Sequence, residues 1–259
     1  SCTLLIDKTE SCHRTDANYT AIWISRLTVI VGPILALLLR DELRGSLFYI
    51  VGAAMSLASA VLVMCVKFPF RAPEEGVHLV SIDRFFLPRG ATIALVIALI
   101  TAALGIMMTT RMTVEFCSSV MAGFVVAALA LHIPAVKNAR FASAVGNALA
   151  IIAILAMFAH DDIFDATLKP MLFGFGIALS SSEQLYKLLN SCDHCQRSTA
   201  ESTYFLSSDG GLFLGIAAGW QLTTAVKSAE QVVLALLVVA TIICSLNVLL
   251  KKKQAKHHA

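Results

Sequence analysis

Long apolar runs alternate with short polar gaps along the whole chain. Eight runs approach the length of a transmembrane helix, which needs about 20 mostly apolar residues to cross the hydrocarbon core of a bilayer. Their approximate bounds are 19–39, 45–66, 90–110, 113–133, 139–159, 167–189, 201–223 and 229–250. The runs do not alternate as strands do, and lipid leaves no partner for an unpaired backbone group. The pattern predicts an all-α polytopic membrane protein with eight transmembrane helices.

Composition and charge agree with a membrane protein. Of the 259 residues, 58% are hydrophobic and 14% are charged, whereas soluble domains carry about 25% charged residues. The mean hydropathy is +0.78. The net charge of +3 is too small to suggest a nucleic-acid partner. The sequence contains no phosphate-binding loop, so we expect no use of ATP. We also expect no other cofactor.

The distribution of Lys and Arg predicts the orientation in the membrane. With both termini inside, the inner segments contain Lys8, Arg14, Lys67, Arg71, Arg84, Arg89, Lys137, Arg140, Lys187, Arg197, Lys251, Lys252, Lys253 and Lys256. The outer segments contain Arg40, Arg44, Arg111, Lys169 and Lys227. Cytoplasmic segments of membrane proteins carry the excess of Lys and Arg. This asymmetry, 14 against 5, predicts that both termini are cytoplasmic.

The longest polar gap, 67–89, divides the chain. It contains Pro69, Pro73 and Pro88 together with basic residues, and this composition excludes a membrane span. We interpret it as a cytoplasmic linker between two helices in 1–66 and six helices in 90–250. A basic cytoplasmic tail, 251–259, is expected after the last helix.

An internal repeat relates the first two helices to the last two at an offset of 183 residues. The matched positions are Arg14 with Arg197, Ala17 with Ala200, Arg26 with Asp209, and Gly32 with Gly215. The same offset places the second span on the eighth. We therefore expect the chain to be the C-terminal part of a twelve-helix protein with two parallel six-helix halves, the N-terminal half contributing only its last two helices here.

One helix carries a more specific pattern, with Arg26 preceding Gly32 and Pro33 in a helix that is predicted to run outward. In this pattern and in its topology the chain resembles the major facilitator superfamily, whose fifth helix commonly carries Gly-Pro after an Arg. Proton antiporters of that family usually have Gly where this chain has Ala36. Antiport and symport therefore both stay open.

The resemblance implies a function and a location. Such a protein is a secondary active transporter, not an enzyme, and moves a small organic solute across the bacterial inner membrane by alternating access. Proton coupling, efflux and a monomeric state are the corresponding expectations. The alternatives that the residues leave open are a polytopic membrane enzyme of the acyl or glycosyl transferase type and a membrane scaffold that transports nothing.

Two charged residues inside predicted spans are the candidates for proton coupling. A central Arg costs about 2.5–3.5 kcal/mol to insert, so Arg26 needs compensation. Asp209 is its counterpart in the repeat, and pseudo-symmetry predicts that both face a central aqueous cavity at similar depth. A carboxylate there can take up and release a proton. The alternative for both residues is a structural role in helix packing.

Uncharged residues in the spans give further candidates. Possible substrate-cavity residues are Trp23, Asn147, Gln184 and Tyr204, although helix packing and hydrogen bonding between helices would explain them equally well. The small residues Gly211, Gly215 and Gly219 recur at every fourth position, which predicts close approach of two helix backbones.

Three local patterns are interpreted as structural. Glu115 lies near Arg111, and Glu183 precedes Lys187 by four residues, so surface ion pairs are expected. Cys192 and Cys195 form one isolated pair at metal-ligand spacing, and without a second pair we expect no metal site.

Overall fold

The computed structural model describes residues 27–28, 31–40, 42–43, 46–65, 86–130, 142–158, 167–192, 196–223 and 226–257. All regular elements within these ranges are helical and none is a strand. This confirms the all-α fold class for the described residues. The chain divides into two compact units, Ser1–Val80 and Ser81–Ala259, and the division lies within the predicted linker 67–89.

Unit 1 contains the helices α1 (Val31–Arg40) and α2 (Ser46–Met64). The side chains of α2 are strongly apolar and many are exposed, among them Tyr49, Met55 and Met64. A helix that exposes so many large apolar groups is suited to an apolar environment.

In the described part of unit 2 the first element is a 3-10 turn, Pro88–Gly90, and six helices follow it. They are α3 (Ala91–Thr110), α4 (Val114–Ala130), α5 (Ala142–Phe158), α6 (Leu168–Asn190), α7 (Arg197–Leu222) and α8 (Val226–His257). These bounds lie close to the predicted ones except at the end of α8. The helix continues past residue 250, so the predicted tail is helical as far as His257.

Two of the described segments, Pro88–Thr110 and Ala229–Asn247, are long and apolar enough to cross a membrane. They favour association of the chain with a membrane. Helices α4 and α5 are apolar but have 17 residues each in the described part, and α6 carries Lys169, Glu183 and Lys187. The eight-span topology therefore stays a prediction.

Helices α3 and α7 pack along each other through a row of glycines on α7. A Cβ atom built on Gly211 or Gly215 would collide with the backbone of Ala98 or Ala102, respectively, and one built on Gly219 would lie 3.1 Å from the backbone of Ile106. Because the residue numbers increase in the same direction along α7 and along α3, the two helices run parallel. The row at every fourth position thus lies where two backbones come into direct contact.

Glycines also mark two contacts made by α6. Gly174 of α6 lies against Val120 of α4. A Cβ built on Gly146 of α5 would lie 2.7 Å from the carbonyl oxygen of Gly176, and one built on Gly176 would lie 2.7 Å from the amide nitrogen of Ala150. Each glycine therefore permits a backbone approach that a side chain would prevent.

The helices of unit 2 follow an inverted repeat. The main contacts are reproduced when α3, α4 and α5 change places with α6, α7 and α8. The contact of α3 with α7 corresponds to that of α6 with α4, and the contact of α5 with α6 corresponds to that of α8 with α3. Successive helices alternate in direction. We call the end of unit 2 at which α3, α5 and α7 begin the inner end, because the charge asymmetry predicts it to be cytoplasmic. The opposite end is called the outer end.

The core of unit 2 lies around α3 and α6. Most of its largest fully buried side chains belong to these two helices, including Ile97, Ile100 and Met107 on α3 and Phe173 and Ile177 on α6. Helix α7 differs from them, since it is buried along the glycine row and exposes Phe213, Leu214 and Trp220.

The glycine contact can be tested with two substitutions in the same helix. Gly215→Ala should destabilise the protein by about 1–3 kcal/mol, because the new Cβ overpacks the α3 backbone. Gly210→Ala is the matched control, since nothing lies within 4 Å of a Cβ built there, and it should be neutral or stabilise by up to about 1 kcal/mol. Unfolding of both variants in detergent measures the difference, and equal stabilities would contradict the contact.

Candidate functional site

The exposed face of α7 carries one carboxylate among large apolar side chains. Asp209 lies near the middle of the helix and is exposed, on the same face as Leu206, Phe213 and Trp220. The glycine row occupies another side of α7, against α3. This separation follows from the helical period, which places residues three, four and seven apart on one face.

The predicted partner of Asp209 lies outside the described residues. Neither Arg26 nor Trp23 belongs to them, so the placement of Arg26 at the depth of Asp209 stays a prediction. Gly32 and Pro33 are described and lie in the helical segment Val31–Arg40. A Cβ built on Gly32 would meet nothing within 4 Å.

Tyr204 lies on the packed side of α7. Its side chain is 2% exposed, and its ring meets that of Phe205 edge to face with centroids 5.6 Å apart. The burial of Tyr204 therefore separates it from the exposed face that carries Asp209.

Gln184 is the centre of a polar cluster formed by α5, α6 and α8. Its amide nitrogen donates to Ser143 Oγ at 2.6 Å and contacts Cys244 Sγ at 3.3 Å. Ser143 Oγ lies 3.4 Å from Ser180 Oγ, and Lys187 Nζ lies 3.8 Å from Cys244 Sγ. The cluster joins three helices near the inner end.

Glu183 links the start of α5 to α6. One of its carboxylate oxygens accepts a hydrogen bond from the backbone N–H of Ser143, in the first turn of α5. The other lies 2.7 Å from Lys187 Nζ. A carboxylate at a helix start satisfies a free amide and interacts well with the helix dipole. The pair expected from the i, i+4 spacing is present and has this additional contact.

Asn147 is a buried amide without a partner in the described part of the chain. Its exposed fraction is 0%, and neither its side-chain oxygen nor its nitrogen has a hydrogen-bond partner. It follows Ser143 by one turn of α5, and residues four apart share a helix face. Leaving a buried polar group unsatisfied costs about 1–3 kcal/mol. The α5 face that carries Ser143 therefore also carries a buried polar group that the described helices leave unsatisfied.

At the outer end, Arg111 bonds to Glu230 across the helix pair α3 and α8. The predicted ion pair of Arg111 with Glu115 is not formed within the described residues, where Glu115 is exposed. Glu230 is 2% exposed and was overlooked. Its position in the first turn of a predicted span was the available signal, whereas its proximity to Arg111 depends on the antiparallel packing of α3 and α8.

The described residues contain no group of three or more His, Cys, Asp and Glu that would hold a metal ion. Cys192 is described, and its thiol bonds to the carbonyl oxygen of Leu189 at 3.1 Å. His194 and Cys195 lie outside the described residues. The chemistry that this part offers is proton exchange at a carboxylate and hydrogen bonding by amides and hydroxyls.

A comparison of the sequence with models of known protein families finds no match, and a search of curated proteins also finds none. Membership of the major facilitator superfamily thus stays a prediction from the residues quoted above.

The polar cluster gives a prediction for stability. Gln184→Leu removes the donor to Ser143 and should destabilise the protein by about 1–3 kcal/mol, because the buried Ser143 hydroxyl loses its shortest hydrogen bond. Gln231→Leu is the control, since Gln231 is exposed on α8 and should tolerate the change. Thermal unfolding in detergent compares the two, and a Gln184→Leu variant as stable as the control would refute the role of the cluster.

Proposed function

We propose that this protein is a secondary active transporter of the major facilitator type, which moves a small organic solute across a bacterial inner membrane by alternating access. The observation that carries the proposal is the inverted repeat of unit 2, in which α3 to α5 and α6 to α8 make equivalent contacts. Nested three-helix inverted repeats occur in each six-helix half of that transporter class.

The membrane placement is supported by composition and by the charge distribution. Pro88–Thr110 and Ala229–Asn247 have the length and apolarity of spans, and the Lys and Arg residues fall 14 against 5 between the two sides. In the proposed topology all eight helices cross the bilayer, with both termini and the linker 67–89 in the cytoplasm.

Proton coupling is assigned to Asp209. A carboxylate in the middle of a span is costly in lipid and normally faces a cavity or another protein segment. Lipid headgroups do not reach a carboxylate at that depth, and the side chains around Asp209 are apolar. In the proposal the exposed face of α7 lines the solute pathway and Asp209 exchanges protons as access alternates. Arg26, outside the described residues, is the second coupling residue predicted from the sequence.

The topology can be tested by labelling single cysteines introduced at exposed positions, after replacement of the native cysteines. Glu115→Cys, at the outer end, should react with a membrane-impermeant maleimide added to intact cells. Arg197→Cys, at the inner end, should react only after permeabilisation. The reverse pattern would contradict the orientation, and labelling of both from outside would contradict the three membrane crossings proposed between them.

The coupling site can be tested in proteoliposomes of the complete protein that contains this chain, with a solute selected from organic compounds for uptake driven by a pH gradient. Asp209→Asn should reduce pH-driven accumulation to background while solute counterflow continues, because the neutral amide cannot carry a proton. Arg26→Ala should weaken both processes. Glu115→Gln is the control, since it removes an exposed carboxylate at the outer end and should retain accumulation.

Normal pH-driven accumulation by Asp209→Asn would show that Asp209 is structural. If the complete protein that contains this chain moved no solute down an imposed gradient, in its unmodified form or as any variant, the transporter proposal itself would fail.

A further inference from the structure

The inner end of unit 2 gathers basic residues from three helices. Arg89 lies in the turn before α3, Arg197 is the first residue of α7, and Lys251, Lys252, Lys253 and Lys256 lie in the last turns of α8. We call these six residues the basic rim. These residues have no role in the proposed transport function.

Contacts within unit 2 place these three helix ends at the same end of the bundle. The backbone N–H of Leu87, just before α3, donates to Thr203 Oγ1 of α7 at 2.8 Å. At the opposite end, Arg111 near the end of α3 bonds to Glu230 near the start of α8. Helix α8 therefore finishes at the end at which α3 and α7 begin.

The two arginines of the rim are not neutralised by acidic neighbours in the described part. Arg89 and Arg197 are exposed and form no ion pair there. The nearby carboxylates are directed inward, since Glu183 bonds to Lys187 and to the Ser143 amide, and Glu201 is buried. An exposed anion could therefore approach Arg89 and Arg197 without competition from these carboxylates.

The continuous helix α8 fixes the height of the lysines relative to the membrane. The apolar segment Ala229–Asn247 is followed by three further apolar residues, 248–250, before Lys251. From Lys251 to Lys256 the helix rises about 8 Å at 1.5 Å per residue. The headgroup layer on each side of a bilayer is about 5–7 Å thick, so this rise matches the layer.

From these observations we propose that the basic rim binds the headgroups of anionic phospholipids in the inner leaflet. Clusters of Lys and Arg next to a transmembrane helix on the cytoplasmic side are attracted to anionic lipid. Here the charges extend over three helix ends at headgroup height, which favours a lipid surface over a single soluble anion. The inference rests on the proposed membrane placement but is independent of solute transport.

The test measures lipid binding to the purified protein in a mild detergent by native mass spectrometry. Phosphatidylglycerol, which is anionic, and phosphatidylcholine, which is zwitterionic, are titrated separately at low salt. The protein should bind phosphatidylglycerol at least about tenfold more tightly, because each lysine near an anionic surface contributes about a fivefold factor. High salt should reduce the preference, as expected for screened charges.

Two double variants with the same change in charge localise the site. Lys252→Gln with Lys253→Gln should lower phosphatidylglycerol affinity about tenfold or more. Arg44→Gln with Lys227→Gln, at positions predicted to lie outside, should leave the affinity unchanged. The elution profile and thermal unfolding of each variant establish that it is folded before lipid is added.

Equal affinity for the two lipids, or an equal effect of the two double variants, would overturn the inference. Binding of the soluble polyanion inositol hexakisphosphate with the affinity found for phosphatidylglycerol would also overturn it, since the lipid surface would then be unnecessary. Failure of the membrane placement would appear instead in the labelling of Glu115→Cys and Arg197→Cys. Failure of transport would leave these binding measurements unaffected.

Discussion

Direct contact between helix backbones at glycine is the constraint on which the arrangement of unit 2 depends. At Gly215 against Ala102, and at Gly146 against Gly176, a single Cβ atom would overlap with the neighbouring backbone. Lipid is as apolar as most side chains, so helices in a membrane gain little from burying leucines and depend on close packing and polar contacts. Glycine supplies that closeness, and the same contact fixes which way each helix faces.

Polar links complement this packing at both ends of unit 2. Arg111 and Glu230 join α3 to α8 at the outer end. Near the inner end, Glu183 joins α6 to the start of α5, and Gln184 bonds to Ser143. These links hold the helix ends, whereas α7 is held chiefly through its glycine row. The remaining face of α7 is thus left for the apolar side chains and the carboxylate of Asp209.

The inverted repeat explains why two different pairs of helices share one design. Helices α3 and α7 pack in parallel through Gly105 and Gly215, and their counterparts α6 and α4 pack through Gly174 and Gly123. Equivalent backbone contacts in oppositely oriented triplets give the unit two similar halves. The proposed function uses this symmetry, and the basic rim marks the feature in which the two ends differ, namely their charge.

The hydrophobic pattern by itself determined the all-α class and the approximate bounds of the helices in unit 2, because helix length and apolarity are local properties. It also indicated the close packing at Gly211, Gly215 and Gly219, because a repeat every four residues marks one helix face. It did not determine the partners. Arg111 pairs with Glu230 and not with Glu115 because of which helices become neighbours and in which direction they run. The same choices bring Gln184 to Ser143 and Cys244. Those choices belong to the tertiary structure, because they join residues far apart in the chain through backbone contacts that no local pattern specifies.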